Sequence, residues 1–248
     1  MIFIKTVSAF GFTILTMLVC VPFGLIAFFV SLLGLRKPMS LFIYKIAQFW
    51  GRGVIFITGS TLEVIGWENI PSEGGVCFVS NHVGIVDIIL ALAYIGQPFG
   101  FIAKKELLLV PFFNMWIYIL GGLFIDRKNI RKAIKTINRG IQKIQNGGSM
   151  LIFPEGTRSK GRGLLPFKSG AIKLATNSLA PIVPMAITGS YDVFEIDGRV
   201  HAAPLRLVFC PPIYTADMSP DDRRHRLADH VRSVIEEALA SPAGIVPG

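Results

Sequence analysis

Apolar and polar positions divide the 248-residue chain into segments of two different periods. Short runs rich in Val, Ile, Leu and Phe recur at 62–65, 76–79, 99–103, 123–125, 150–153, 182–187 and 205–209, with the length and composition of strands. Between several of them, at 85–94, 130–145 and 167–176, apolar residues return every three or four positions, as in helices with one buried face. Strands alternating with helices predict an α/β fold: a mixed, largely parallel sheet flanked by helices, with antiparallel pairing at its edges. The run 182–187 contains Pro184, which has no N–H for the ladder, so this strand is expected at an edge or beside a bulge. A last helix opens with Ser219 as N-cap, then Pro220, Asp221 and Asp222, and runs to about Ala240. The tail 241–248, with two Pro and two Gly, is expected to be loosely ordered.

The N-terminal pattern has no polar side. Residues 6–35 form a run of 30 without a charged side chain, bounded by Lys5 and by Arg36 and Lys37. About 20 apolar residues are enough to cross a bilayer. Pro22 and Gly24 interrupt the run, leaving arms of roughly 16 and 11 residues, each short for a span of about 30 Å. A single kinked transmembrane helix and a hairpin dipping into one leaflet both fit, and the hairpin, with Pro22-Phe23-Gly24 at its tip, is preferred. A cleaved signal peptide does not fit, because no small-x-small cleavage site follows a short apolar stretch. Residues 41–59 continue as an amphipathic helix leading into the core. The expected domains are a membrane-anchoring segment (1–58), an α/β catalytic domain (59–240) and the tail (241–248).

Composition agrees with a membrane setting: 52% of residues are hydrophobic and only 17% charged. The three cysteines, Cys20, Cys77 and Cys210, lie in apolar runs without paired spacing, so neither a disulfide framework nor a metal site is expected. A reducing, cytoplasmic location of the catalytic domain, on the cytoplasmic face of an inner membrane, fits best. The net charge of +9 favours an anionic partner. Seven basic and no acidic residues fall between Arg127 and Lys143, while Ile130, Ile134, Ile137, Ile141 and Ile144 form another face of the same helix. Such a helix suits an anionic lipid surface, or it is a solvated face carrying incidental Lys and Arg. No nucleic-acid motif is present.

Candidate chemistry begins after the second strand, at Asn81-His82-Val83-Gly84-Ile85-Val86-Asp87. On one continuous helix, residues five apart would point roughly 140° away from each other, so His82 and Asp87 can meet only if the backbone turns between them. Gly84 supplies conformations that permit the turn. Asp87 would then fix the imidazole tautomer and leave the other nitrogen as a general base. Taken alone, a His with an Asp five residues later is a weak pattern. Two further runs, Phe124-Ile125-Asp126-Arg127 and Phe153-Pro154-Glu155-Gly156-Thr157-Arg158-Ser159, begin as strands and end on an Arg, a geometry suited to binding phosphate. Gly156 would let backbone N–H groups approach an anion. Glu155 would bind a hydroxyl or orient Arg127 or Arg158. Lys104-Lys105 follows a third strand.

In this order and spacing the blocks resemble the lysophosphatidic acid acyltransferases, the 1-acylglycerol-3-phosphate acyltransferases, over about residues 76–187. The resemblance implies an α/β domain at a membrane surface and transfer of a fatty acyl chain from an acyl carrier protein or coenzyme A thioester to the sn-2 hydroxyl of lysophosphatidic acid, giving phosphatidic acid. No other cofactor is implied. By position, His82 and Asp87 match the family's catalytic pair, and Arg127, Glu155, Gly156, Thr157 and Arg158 its acceptor-binding motifs. Lys105 is a candidate for the phosphate or the oxyanion. Val83-Gly84 depart from the more polar residues often found after the His, which is expected to alter the local turn and not the pair. No G-x-S-x-G elbow occurs, so direct transfer without an acyl-enzyme is expected. Acyl transfer to another lysophospholipid, thioester hydrolysis by the same pair, and a non-catalytic lipid-binding role remain the alternatives.

Overall fold

The computed structural model describes residues 2–33, 36–72, 74–216 and 218–241. Helix α1 (Ile2–Leu32) passes through Pro22 without a break, so the expected turn at Pro22-Phe23-Gly24 does not form. Gly24 serves close packing instead: a Cβ there would sit 3.1 Å from Ile119 and 3.4 Å from Trp116. A hairpin does exist, made by α1 and α2 (Arg36–Thr58); Gly34 and Leu35 lie outside the described residues. The two helices are antiparallel. Lys5 Nζ donates to Thr58 O at 3.0 Å, the Phe12 ring fills the space beside Gly53, and the rings of Phe23 and Phe42 lie 6.4 Å apart. The stretch Ile2–Ala27 is long and apolar enough to cross a membrane by length and composition, and only 11% of its most apolar window is buried. Phe3, Ile4, Leu15 and Val19 face outward from it.

Seven strands form one sheet: β1 (Thr61–Ile65), β2 (Cys77–Ser80), β3 (Phe99–Lys104), β4 (Leu123–Ile125), β5 (Ser149–Ile152), β6 (Ile182–Thr188) and β7 (Pro204–Phe209), in the order β1-β7-β6-β2-β5-β3-β4. All neighbours are parallel except β6 and β7, so β1 and β7 run against the other five. Thr61, which opens β1 three residues after α2 ends, therefore lies at the end of the sheet where β2, β5 and β6 finish. Both faces are apolar because both are covered. Phe78, Leu151, Val183, Met185 and Leu207 point into one cluster with Tyr44, Ala47 and Ile55 of α2 and Leu90 of α3 (Val86–Tyr94). Cys77, Val79, Met150, Ile152 and Val208 point into the other, which holds residues of α5 (Ile130–Gln145), α6 (Ser169–Ser178) and α9 (Leu227–Ala240). Each fully buried aliphatic or Phe side chain in these layers contributes about 1.5–3 kcal/mol of transfer free energy.

Pro184 lies in a central strand, opposite Val79 of β2, and not at an edge. Its missing donor is accommodated on the β7 side. Pro184 O accepts from Cys210 N, while Ile182 pairs with Ile213, so a two-residue step on β6 faces a three-residue step on its partner. This is the bulge that the proline requires. Helix α4 (Phe113–Ile119) packs on the hairpin, and α7 (Ser190–Phe194) joins β6 to the connection before β7. That connection also touches α1: the rings of Phe10 and Phe194 meet edge to face at 5.7 Å, and Val200 N donates to Thr6 Oγ1 at 2.9 Å. The final helical region is divided. Ser219 caps α8 (Pro220–His225) by accepting from Asp222 N, and the chain bends at Arg226 before α9, where one continuous helix was expected. Past Ser241 the expected loose tail lies outside the described residues.

Candidate functional site

Strand β2 ends at Ser80, and the next side chain extends the ladder. Asn81 Oδ1 accepts from Ile187 N and its Nδ2 donates to Ile187 O, both at 2.8 Å, so the backbone is released from the sheet at His82. Four residues later α3 begins, with Asp87 in its first turn where the helix dipole favours a carboxylate. His82 Nδ1 and Asp87 Oδ2 are 2.7 Å apart. Asp87 is fully buried, and its carboxylate also accepts from Val83 N at 2.7 Å, Gly84 N at 3.0 Å and the Ser190 hydroxyl. A buried charge needs this degree of satisfaction. Opposite an ionised carboxylate, Nδ1 carries the proton and Nε2 is the basic nitrogen. The imidazole stacks on Phe153, with centroids 4.1 Å apart, and its side chain keeps 18% exposure.

The turn between His82 and Asp87 forms, but not through a left-handed glycine, since Gly84 has no positive φ. Glycine there serves close approach: a Cβ would sit 3.2 Å from Ser190 O, so that neighbour would have to give by a few tenths of an ångström. The close approach of α7 is what puts the Ser190 hydroxyl on Asp87.

Glu155 points inward and is almost fully buried. Its two oxygens accept from His82 N at 2.6 Å and Leu165 N at 3.0 Å, so the residue braces backbone, and among the described residues no Arg pairs with it. Burial pushes its carboxyl above the usual range, and the two N–H donors partly offset that. Ser159 N to His82 O at 2.7 Å and Lys160 N to Val83 O at 3.2 Å lace the two loops together further. Gly156 has φ +67, its N–H is taken by Phe153 O, and its carbonyl accepts from Arg127. That N–H therefore does not point at an anion site. Thr157 is exposed on the same turn.

The three candidate cations are each held by a protein partner. Arg127 reaches the Gly156 carbonyl. Lys105 pairs with Asp126 at 2.8 Å, which holds the ammonium pKa above its ordinary value and the carboxyl below. Arg158 pairs at 2.7 Å with Glu195, whose same oxygen accepts from Ile85 N in the turn before α3. Ser190 and Glu195 have no counterpart among the motif residues. Their only sequence signal is Gly189-Ser190 closing an apolar strand, which does not report contact with an aspartate more than 100 residues away.

The family model described as Acyltransferase matches residues 61–188. The chain is 35% identical to the 1-acyl-sn-glycerol-3-phosphate acyltransferase of Escherichia coli over 170 residues, covering 68% of this chain and 69% of that protein. It is 33% identical to the enzyme of the same name from Salmonella typhimurium, covering 67% and 68%. The chain belongs to the 1-acyl-sn-glycerol-3-phosphate acyltransferase family. The crystal structure of the 1-acyl-sn-glycerophosphate (LPA) acyltransferase from Thermotoga maritima superposes with a TM-score of 0.79 at 26% identity, over 96% of both chains, so this acyltransferase shares its overall fold. The matched segment of the acyltransferase contains His82, Asp87, Lys105, Arg127 and the 155–158 turn, whereas Ser190 and Glu195 fall just past its end.

Proposed function

We propose that this acyltransferase moves a fatty acyl chain from a carrier protein or coenzyme A thioester to the sn-2 hydroxyl of 1-acylglycerol 3-phosphate, giving phosphatidic acid and a free thiol. The 2.7 Å contact between His82 Nδ1 and the buried Asp87 carboxylate carries this reading. Nε2 of His82 takes the hydroxyl proton as the oxygen attacks the thioester carbonyl. Asp87 stays ionised and stabilises the imidazolium. When the tetrahedral intermediate collapses, the C–S bond breaks and the thiolate takes the proton back from Nε2. Arg127, Arg158 and Lys105 supply the positive field for the acceptor phosphate. No acyl-enzyme is required. Cys77 and Cys210 are buried in the sheet layers, where burial pushes the thiol pKa up, to about 12 for Cys210, so neither offers a thiolate.

The outer face of the hairpin, with Phe49 and Phe56 of α2 beside the α1 residues, embeds in the cytoplasmic leaflet, and the catalytic domain rests on it from the cytoplasm. The deciding assay gives purified protein a labelled acyl thioester together with lysophosphatidate, glycerol 3-phosphate or lysophosphatidylcholine in mixed micelles. Labelled phosphatidic acid is expected from lysophosphatidate alone, and none from His82→Ala. Free fatty acid as the sole product would make the protein a hydrolase.

A further inference from the structure

One surface takes no part in that chemistry. The inner stripe of α5 is only half covered: Ile137 and Ile144 are buried against the sheet, whereas Ile130 is 76% and Ile134 54% exposed. Next to these two isoleucines, Lys128, Arg131, Lys132, Lys135 and Arg139 are exposed, and among the described residues none of them pairs with a carboxylate. An apolar patch bordered by unpaired cations marks an interaction surface more than a solvated helix face. It also lies close to the chemistry. Helix α5 starts three residues after Arg127, which holds the turn whose Glu155 braces His82.

Position in the fold selects the occupant. Helix α5 packs on the sheet face opposite the α1–α2 hairpin, so a bilayer that receives the outer face of the hairpin lies across the sheet from it. That geometry favours a soluble anionic partner over lipid headgroups. A nucleotide thioester brings phosphates but no protein surface to cover Ile130 and Ile134, and an acidic protein brings both charge and apolar contact. We infer that the N-terminal half of α5 docks an acidic, soluble acyl carrier protein, which presents its thioester to His82 from the side away from the membrane. The inference rests on the acyltransfer reading and names its donor. Attraction between the basic stripe and an acidic helix would act mainly on encounter rate, and so on KM and its salt dependence.

The test compares wild type with the Arg131→Glu, Lys135→Glu double variant and with Ile134→Ser. Each receives one long-chain acyl group on acyl carrier protein or on coenzyme A, with lysophosphatidate in mixed micelles. For the double variant, KM for the carrier-linked donor should rise about tenfold or more and lose its salt sensitivity, with kcat at saturation and KM for the coenzyme A donor within about twofold of wild type. Ile134→Ser should raise the same KM without changing the salt dependence. An unchanged carrier KM overturns the inference, as does an equal rise for both donors, which would mean recognition of a shared phosphate. Weaker binding to anionic vesicles with carrier KM unchanged would assign the stripe to lipid and also overturn it. Fluorescence anisotropy of labelled carrier protein on the same three proteins separates this inference from the reaction. Binding seen in wild type and lost in the double variant upholds docking even where neither donor gives lipid product, and no wild-type binding refutes it. Failure of both donors in the assay counts against the acyltransfer reading alone.

Discussion

Glu155 Oε1 accepts the backbone N–H of His82 at 2.6 Å, so the position of the imidazole is set by a carboxylate from a turn more than 70 residues further along the chain. The other oxygen holds Leu165 N. A glutamine has one acceptor oxygen, and its amide nitrogen would face an N–H. Glu155→Gln should therefore lower kcat by about tenfold to a hundredfold while leaving either KM within about twofold, consistent with one buried amide losing a charged partner. Steady-state kinetics checks this.

The same residue gives a pH signature. Burial raises the folded-state pKa of Glu155, so the folded chain binds its proton more tightly than the unfolded chain. Between the ordinary carboxylate value and the raised one, this group stabilises the fold at the low end and withdraws that stability as pH rises. Denaturant unfolding across the acidic range should show wild type losing stability relative to Glu155→Gln as pH climbs through that window. Parallel profiles would mean that the carboxyl is not perturbed.

Asp87→Asn keeps the size of the side chain and removes its charge. The amide can present its nitrogen to His82 and leave the imidazole in the wrong tautomer, so kcat should fall about 10³- to 10⁴-fold, as expected when a buried orienting carboxylate is neutralised. Circular dichroism should stay native, and a smaller drop would place the base elsewhere.

Gly84→Ala separates space from backbone strain. Gly84 has no positive φ, so alanine costs little locally, but its methyl group would press on Ser190 O from 3.2 Å. Melting temperature should change by only a few degrees, about 1 kcal/mol or less, while kcat drops about tenfold as the Ser190 hydroxyl moves off Asp87. Ser190→Ala should show the same kinetic loss. Glycine at 156 behaves differently, because φ +67 makes Gly156→Ala strained wherever its neighbours lie.

On the proposed role of Arg158 in binding the acceptor phosphate, Arg158→Ala should raise KM for lysophosphatidate about tenfold and leave donor KM unchanged. Competition by inorganic phosphate should weaken in parallel. An equal effect on both substrates would instead identify Arg158 as a brace for Glu195 and the Ile85 turn.

Elements whose information is local were legible in the sequence. The isoleucine stripe of α5 places both ends of that helix at the residues observed, and all seven strand runs are present to within a residue or two. The failures occur where a distant neighbour decides the outcome. Pro22 suggests a break, yet Trp116 and Ile119 pack against Gly24 and the helix continues. Pro184 leaves an edge and a bulge equally open, and the step between Cys210 and Ile213 on the neighbouring segment selects the bulge in a central strand. At the site, the motif spacing anticipated the meeting of His82 and Asp87, but the inward turn of Glu155 and the arrival of Ser190 and Glu195 depend on how loops from separate strands meet.

The ring contact between Phe10 and Phe194 gives the N-terminal helix a second duty. Phe194 belongs to the same short helix as Ser190, and Thr6 holds the following loop through Val200 N. A soluble enzyme made by trimming α1 would thus lose the buttress behind the Asp87 hydroxyl partner, and restoring its contact with lipid by a tag or an added anchor would not restore turnover.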